Sequence, residues 1–376
     1  MREPTHKPGR EIVSHTSMRG FAAFLVAIYH HRYLFPDFWE NVVLARFYVF
    51  VDLFFILSGF IIAYCYFNAF RDAPSAGQIL RFLQKRLARI YPLHIVTLMF
   101  FAVLPATAIY SGTLYTGGAV EIGGQDFWSS LFLMQGWGLT SGPTFNHPSW
   151  SISGEWAAYL AFPIFVWVGA RGRGALLLLG FVVLLYGVQY RAMGGLHLKL
   201  ELTLFRALPG FALGIVVYLA TGWWNVSGRQ ISGLQVAVVV GIAGVILGNL
   251  GDMWLLPLFA LLVFLTCQDR GILGQALGWG VFYRLGLWSY SIYLLHVPVL
   301  ELAWQLRAAF PQSGFLWADI NFALLSLGAT LALSALSYRY LEMPSRNLLS
   351  GAPKRQELFP GDASKPPEHP RARRQR

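Results

Sequence analysis

The chain has 376 residues, of which 56% are hydrophobic and only 12% charged, and its mean hydropathy is positive. A typical soluble domain carries about 25% charged residues, so too few charges are present to cover a water-facing surface of this size. The net charge of +11 does not indicate a nucleic-acid partner, because the basic residues gather between apolar runs and in the C-terminal segment (Lys354, Arg355, Lys365, Arg371, Arg373, Arg374, Arg376).

The remaining solvent is lipid, where only helices and closed barrels satisfy the backbone. The apolar runs are long and do not alternate, which predicts helices. The expected fold is an all-α integral membrane protein, a bundle of about ten transmembrane helices. Cys65 and Cys267 both lie inside apolar runs, so neither a disulfide framework nor a thiolate metal site is expected.

Residues 1–17 are predicted to form a cytoplasmic tail, followed by the first span at 18–35. This span holds Arg19, His30, His31 and Arg32 and ends in no small-residue cleavage site, so it is expected to be retained. Arg19 and His30 are eleven residues apart, which places them within about 20° around a helix and about 16 Å apart along it. Both should point into one slot, where an arginine anion clamp would sit below a histidine general base. A snorkelling arginine with a histidine bonded to a neighbouring helix explains the same residues. His31 points about 100° away.

The second span is predicted at 42–67. Asp52 near its start reads equally as a helix-end acid or as a site residue. QILRFLQKRLARIYP (78–92) is amphipathic at helical spacing and reads as an interfacial helix feeding a third span that ends near residue 110. Lys85, Arg86 and Arg89 on this segment fit ordinary positive-inside charge. They also fit a grip on phosphate or nucleotide, for which arginine offers a fork of donors.

A Gly-, Thr- and Trp-rich stretch then carries Glu121 and Asp126 but no Lys or Arg up to Trp150, and is predicted to lie on the outer face, with 127–134 dipping back into the bundle. The fourth span begins near Ser153 within HPSWSISGEW. Trp150 and Trp156 suit an interfacial aromatic belt, and Glu155 is either a paired structural acid or a group that orients a substrate hydroxyl.

Further spans are predicted at 175–190, 204–222, 231–249, 253–268, 285–306 and 319–341. The ninth carries Tyr290, Tyr293 and His296, and the last two share a helix face. Glu342 closes the tenth. Connectors rich in Lys and Arg alternate with poor ones, which predicts both termini on the cytoplasmic side of a bacterial inner membrane. Residues 346–376 read as a basic disordered tail. Zinc, phosphate-loop and dinucleotide motifs are absent from the sequence, so metal and nicotinamide chemistry have no support.

The blocks MRGFAAFLVAIYHH, VDLFFILSGFIIAYCY, FLQKRLARIYPLHIV, HPSWSISGEWAAYLAFP, FRALPGFALGI, WSYSIYLLHVPV and SYRYLEMP resemble, in that order, those of the acyltransferase family 3 membrane proteins. The resemblance spans residues 18–345. It implies an enzyme that moves an acyl group, commonly acetyl from acetyl-CoA, to a hydroxyl of a glycan or related acceptor. It also implies a part in activity for Arg19 and His30, and it lays the family's basic block on Arg86 and Arg89 and its tryptophan–glutamate block on Trp150 and Glu155. Taken with the residue reading above, the expected site has Arg19, His30 and Glu155 as catalytic residues, Lys85, Arg86 and Arg89 at the donor, and Trp150, Tyr293, His296 and Asp52 at the acceptor. The alternative is a transporter or flippase of a glycan or lipid-linked substrate, which would use the same polar residues to bind cargo midway.

Overall fold

The structure, a computed structural model, describes residues 11–32, 42–104, 123–140, 145–196, 203–223, 228–309 and 316–350. Every regular element among them is helical. In chain order these are α1 (Val13–His31), α2 (Phe50–Phe70), α3 (Ala76–Val103), the short α4 (Gly124–Leu131), α5 (Trp150–Gly169), α6 (Gly174–Met193), α7 (Thr203–Ala220), α8 (Gly228–Leu247), α9 (Leu255–Thr266), α10 (Gly271–Leu277), α11 (Gly280–Ala309), α12 (Leu316–Ser337) and α13 (Met343–Leu349). Eight helices are long and apolar enough to cross a membrane, or nine if the bent pair α9–α10 is one span. α1 is not among them, because His15, Arg19, His30 and His31 dilute its apolar content.

Several predicted boundaries move. α1 starts at Val13, inside the predicted tail, because the loop after α9 supplies its cap: Asp269 accepts from the Val13 and Ser14 amides at 3.1 and 2.8 Å, and also from the Ser14 hydroxyl. These are orphan donors of the first helical turn. The same loop closes the predicted span 253–268 and is followed by a short helix that the sequence reading did not expect. Asp269 and Gly271 adopt φ of +52° and +75°, and α10 leaves α9 at 80°.

The interfacial segment and the third span are one 28-residue helix that runs through Pro92, opened by a capping box between Ser75 and Gln78. At the other end of the chain, α12 passes into a π-helical turn (Tyr338–Glu342) and then α13, so helix extends to Leu349, beyond the predicted tail boundary. Residues 1–10, 105–122 with Glu121, and the basic stretch from Lys354 lie outside the described residues.

Two pairs of parallel helices form the centre. α2 and α7 touch backbone to backbone: a Cβ on Gly59 would lie 1.9 Å from the Phe211 carbonyl oxygen, and one on Gly214 would lie 2.1 Å from that of Ile56. α1 and α11 approach as closely, since a Cβ on Gly20 would fall 2.3 Å from the Gly286 nitrogen. Small residues at these crossings replace the hydrophobic drive that lipid removes. α4 lies against the middle of α3, where the His94 Nε2–H donates to the Ser130 carbonyl at 2.7 Å and the Tyr91 hydroxyl donates to that of Leu131 at 3.1 Å.

The connectors holding Arg71, Arg171, Arg173 and Arg270 lie at one end of the bundle, together with Arg86, Arg89 and Arg346. Those with Arg46, Asp126, Arg191 and Asp252 lie at the other.

Candidate active site

Parallel packing of α1 on α11 fixes a histidine pair. The register that sets Gly20 against Gly286 also sets His30 against His296, ten residues further along each helix. Both rings are buried. His296 Nδ1 lies 3.1 Å from the Ile292 carbonyl oxygen, and His30 Nδ1 lies 3.0 Å from that of Val26. A carbonyl only accepts, so each Nδ1 carries a proton.

His296 Nε2 therefore bears a lone pair, and His30 Nδ1–H is shared between the Val26 carbonyl and that nitrogen, 2.9 Å away. In this tautomer Nε2 is the basic nitrogen of His30. Its ring meets His147 edge-on at 6.2 Å between centroids. His31 turns instead to α12, where its Nε2 lies 2.7 Å from Ser326 Oγ. The geometry thus separates the adjacent histidines into one aimed at the α11 histidine and one bound to a neighbouring helix.

Below the pair lies a cavity lined by Arg19, Val51, Phe54, Phe55, Ser58, Ser151, Ile152, Glu155, Ser289, Tyr290 and Tyr293. Its water-accessible space of about 40 Å³ holds about three waters at roughly 10–15 Å³ each. Arg19 and His30 do not share this lining. Tyr293 connects them, since it lines the cavity and its ring stands 5.9 Å from that of His296.

Glu155 accepts from the Ser58 hydroxyl at 2.6 Å and from that of Tyr159, so it is a partnered acid whose carboxylate still borders the cavity. Arg19 is half-buried, and among the described residues no hydrogen bond or ion pair engages its guanidinium.

The basic end of the cavity region carries more arginine. Arg89 lines a second, smaller recess with Tyr338, Glu342, Met343 and Arg346. Arg86 donates to the Tyr66 hydroxyl at 3.3 Å and lies over the rings of Tyr66, Phe82 and Tyr159. Lys85 is half-buried on the same helix, without an ion pair among the described residues. Glu342 accepts from the Ser291 hydroxyl.

The remaining predicted site residues lie elsewhere. Asp52 is fully buried and holds Arg206 in a two-point ion pair, with Nε–Oδ1 at 2.9 Å and Nη2–Oδ2 at 2.7 Å. It borders neither recess. Trp150 does not sit in an interfacial belt: it is 5% exposed, packed under the Arg206 guanidinium at 5.2 Å and against Phe55. Arg206 and Arg346 did not figure among the predicted site residues. Arg206 was detectable as a cation inside an apolar span, whereas Arg346 lay beyond the end of the last predicted span. Among the described residues no group of three or more His, Cys, Asp or Glu is placed to hold a metal ion.

A buried histidine held by a second one, above a recess that Arg19 and Glu155 line, defines a class: an integral membrane protein with a polar site inside its helical bundle. A profile described as "Acyltransferase domain" matches residues 15–339, and the chain belongs to that family.

The chain is 30% identical to the acyltransferase MdmB of Streptomyces mycarofaciens over 370 residues, covering 89% of this chain and 91% of the relative. It is 26% identical to YrhL of Bacillus subtilis (strain 168), whose name assigns it to peptidoglycan O-acetylation, over 88% of this chain and 54% of that protein. No solved structure matches it. The chain is therefore a membrane acyltransferase.

Proposed function

We propose that the acyl donor is acyl-CoA, carrying acetyl by default, and that the acceptor is a hydroxyl of a glycan or glycoconjugate. The observation that carries this reading is the His30–His296 pair above a cavity that Arg19 lines without a contact ion pair among the described residues. A cation left unneutralised at membrane depth is costly, and a bound anion or carbonyl offsets that cost. Arg86 and Arg89, with Lys85 and Arg346, are assigned to the donor's phosphates, for which arginine forks are suited.

The acceptor hydroxyl gives its proton to His30 Nε2 while its oxygen bonds to the thioester carbonyl carbon. The C–S bond then breaks and CoA leaves as a thiolate, which takes up the proton. Glu155 and Tyr293 shape the wall on the acceptor's path, while Trp150 and Asp52 act at one remove through their packing on Arg206. The excess of basic connectors at one end puts that end, with both termini, in the cytoplasm of a bacterial inner membrane. A surface polysaccharide or cell-wall glycan as acceptor is supported by the name of the Bacillus relative.

The test is release of free CoA from acetyl-CoA by the purified protein in detergent, with extracted cell-surface glycans as the acceptor pool. His30→Ala should lower turnover by about 10²–10⁴-fold, the range typical of a lost general base, with the protein still folded. Unchanged turnover in that variant would overturn the assignment of His30.

A further inference from the structure

One buried group in the cavity is not used by the mechanism above. Ser289 lies one turn before Tyr293 on α11, is fully buried, and borders the cavity. Its hydroxyl has no hydrogen-bond partner among the described residues. The other hydroxyls of the lining are committed: Ser58 to Glu155, Ser151 to the Tyr293 oxygen at 2.7 Å, and Tyr290 to the Ile90 carbonyl. Arg19, in the same lining, is likewise without a hydrogen bond among the described residues.

A buried donor left unsatisfied costs about 1–3 kcal/mol. Arginine only donates, and a serine hydroxyl beside it is best used as a donor too. The cavity therefore presents two uncommitted donors and asks for an acceptor oxygen. Around them stand Val51, Phe54, Phe55 and Ile152, an apolar wall. The space as it stands holds about three waters, so a thin linear chain enters it with less displacement of the walls than a sugar ring. The chemistry matching all three conditions is a carbonyl oxygen on a chain of methylenes and amides.

We propose that Ser289, together with Arg19, holds a carbonyl oxygen of the acyl donor's linear amide arm as that arm threads the cavity towards His30. This rests on the reading that the donor is acyl-CoA entering from the arginine-rich end. Ser289 is a donor-positioning residue and takes no part in proton transfer.

Two measurements test it on the full chain. Ser289→Ala should lower kcat/KM for acetyl-CoA by about fivefold to tenfold, as the loss of one hydrogen bond implies, through a raised KM for the donor. KM for the glycan should not change, and Ser289→Thr should restore most of the loss. A purely structural serine would lower the amount of folded protein and leave the donor KM alone, which would overturn the proposal.

In the second measurement, Ser289→Cys is treated with a methanethiosulfonate reagent, and modification at position 289 is read by mass spectrometry. Saturating CoA should slow it at least tenfold. Modification unaffected by CoA, or no modification with or without CoA, would show that the donor does not pass this position. The two readings fail separately: a wild-type protein that binds CoA but releases none from acetyl-CoA faults the acyl-transfer chemistry, whereas intact turnover without protection at position 289 faults only the assignment of Ser289.

Discussion

At the scale of single residues, the site depends on orientation as much as on the base itself. In the mechanism proposed above, His296 neither meets the acceptor nor moves its proton. It holds His30 in the tautomer that presents Nε2. Replacing it with Ala should reduce kcat by about tenfold to a hundredfold, the penalty usual when a group that orients an active histidine is removed, and leave both KM values near their original levels. His296→Asn should retain part of the rate, because its amide oxygen can still accept from Nδ1–H. Steady-state kinetics on the two variants check this.

Asp52 has a different energetic role. Arg206→Ala strands a fully buried carboxylate and should destabilise the protein by about 3–5 kcal/mol, seen as a lowered Tm in detergent. The double variant Asp52→Leu with Arg206→Met should recover much of that loss, since a buried pair replaced by packed apolar groups is often near neutral.

At the scale of elements, the close crossing of α1 on α11 sets the distance between the two histidines. Gly20→Ala puts a methyl 2.3 Å from the Gly286 nitrogen, where there is backbone and no flexible side chain to yield. That variant should lose activity even where it still folds, because separating the helices lengthens the His30–His296 contact. Gly180→Ala on α6 meets nothing within 4 Å. It should keep full activity and gain helix stability on the order of 0.5–1 kcal/mol. Comparing turnover and Tm of the two variants separates a glycine required by packing from one that is merely tolerated.

The elements themselves were largely legible in the sequence, because long apolar runs leave few alternatives. The 80° break after α9 was not. It depends on Asp269 reaching the amides of α1, more than 250 residues away in the chain, and periodicity carries no record of such a partner. For the same reason the sequence marked His296 only as a neighbour of Tyr293. Its pairing with His30 is a product of helix register.

At the scale of the whole molecule, charge is sorted between the two ends. If the arginine-rich end faces the cytoplasm and receives a polyanionic donor, KM for acetyl-CoA should rise with salt. The Debye length shrinks from about 10 Å at 0.1 M to 3 Å at 1 M, while attraction at an uncharged acceptor's subsite is unaffected. Initial rates across that range check it. Cysteines introduced by Arg171→Cys and Asp126→Cys in sealed vesicles should react with impermeant reagents from opposite sides. Labelling of both from one side would overturn the placement of the ends.

The π-helical turn between α12 and α13 sets the rotational phase of everything after it. Five residues, Tyr338–Glu342, fill a stretch where an α-helix would need fewer, and the helix after them brings Arg346 to the recess that Arg89 lines. Adding one residue between Glu342 and Met343 would swing α13 by about 100° and carry Arg346 off the recess that it lines with Arg89. An insertion there should therefore do what no point substitution on α13 can: leave the histidine pair whole and rotate the last helix away from the proposed donor site.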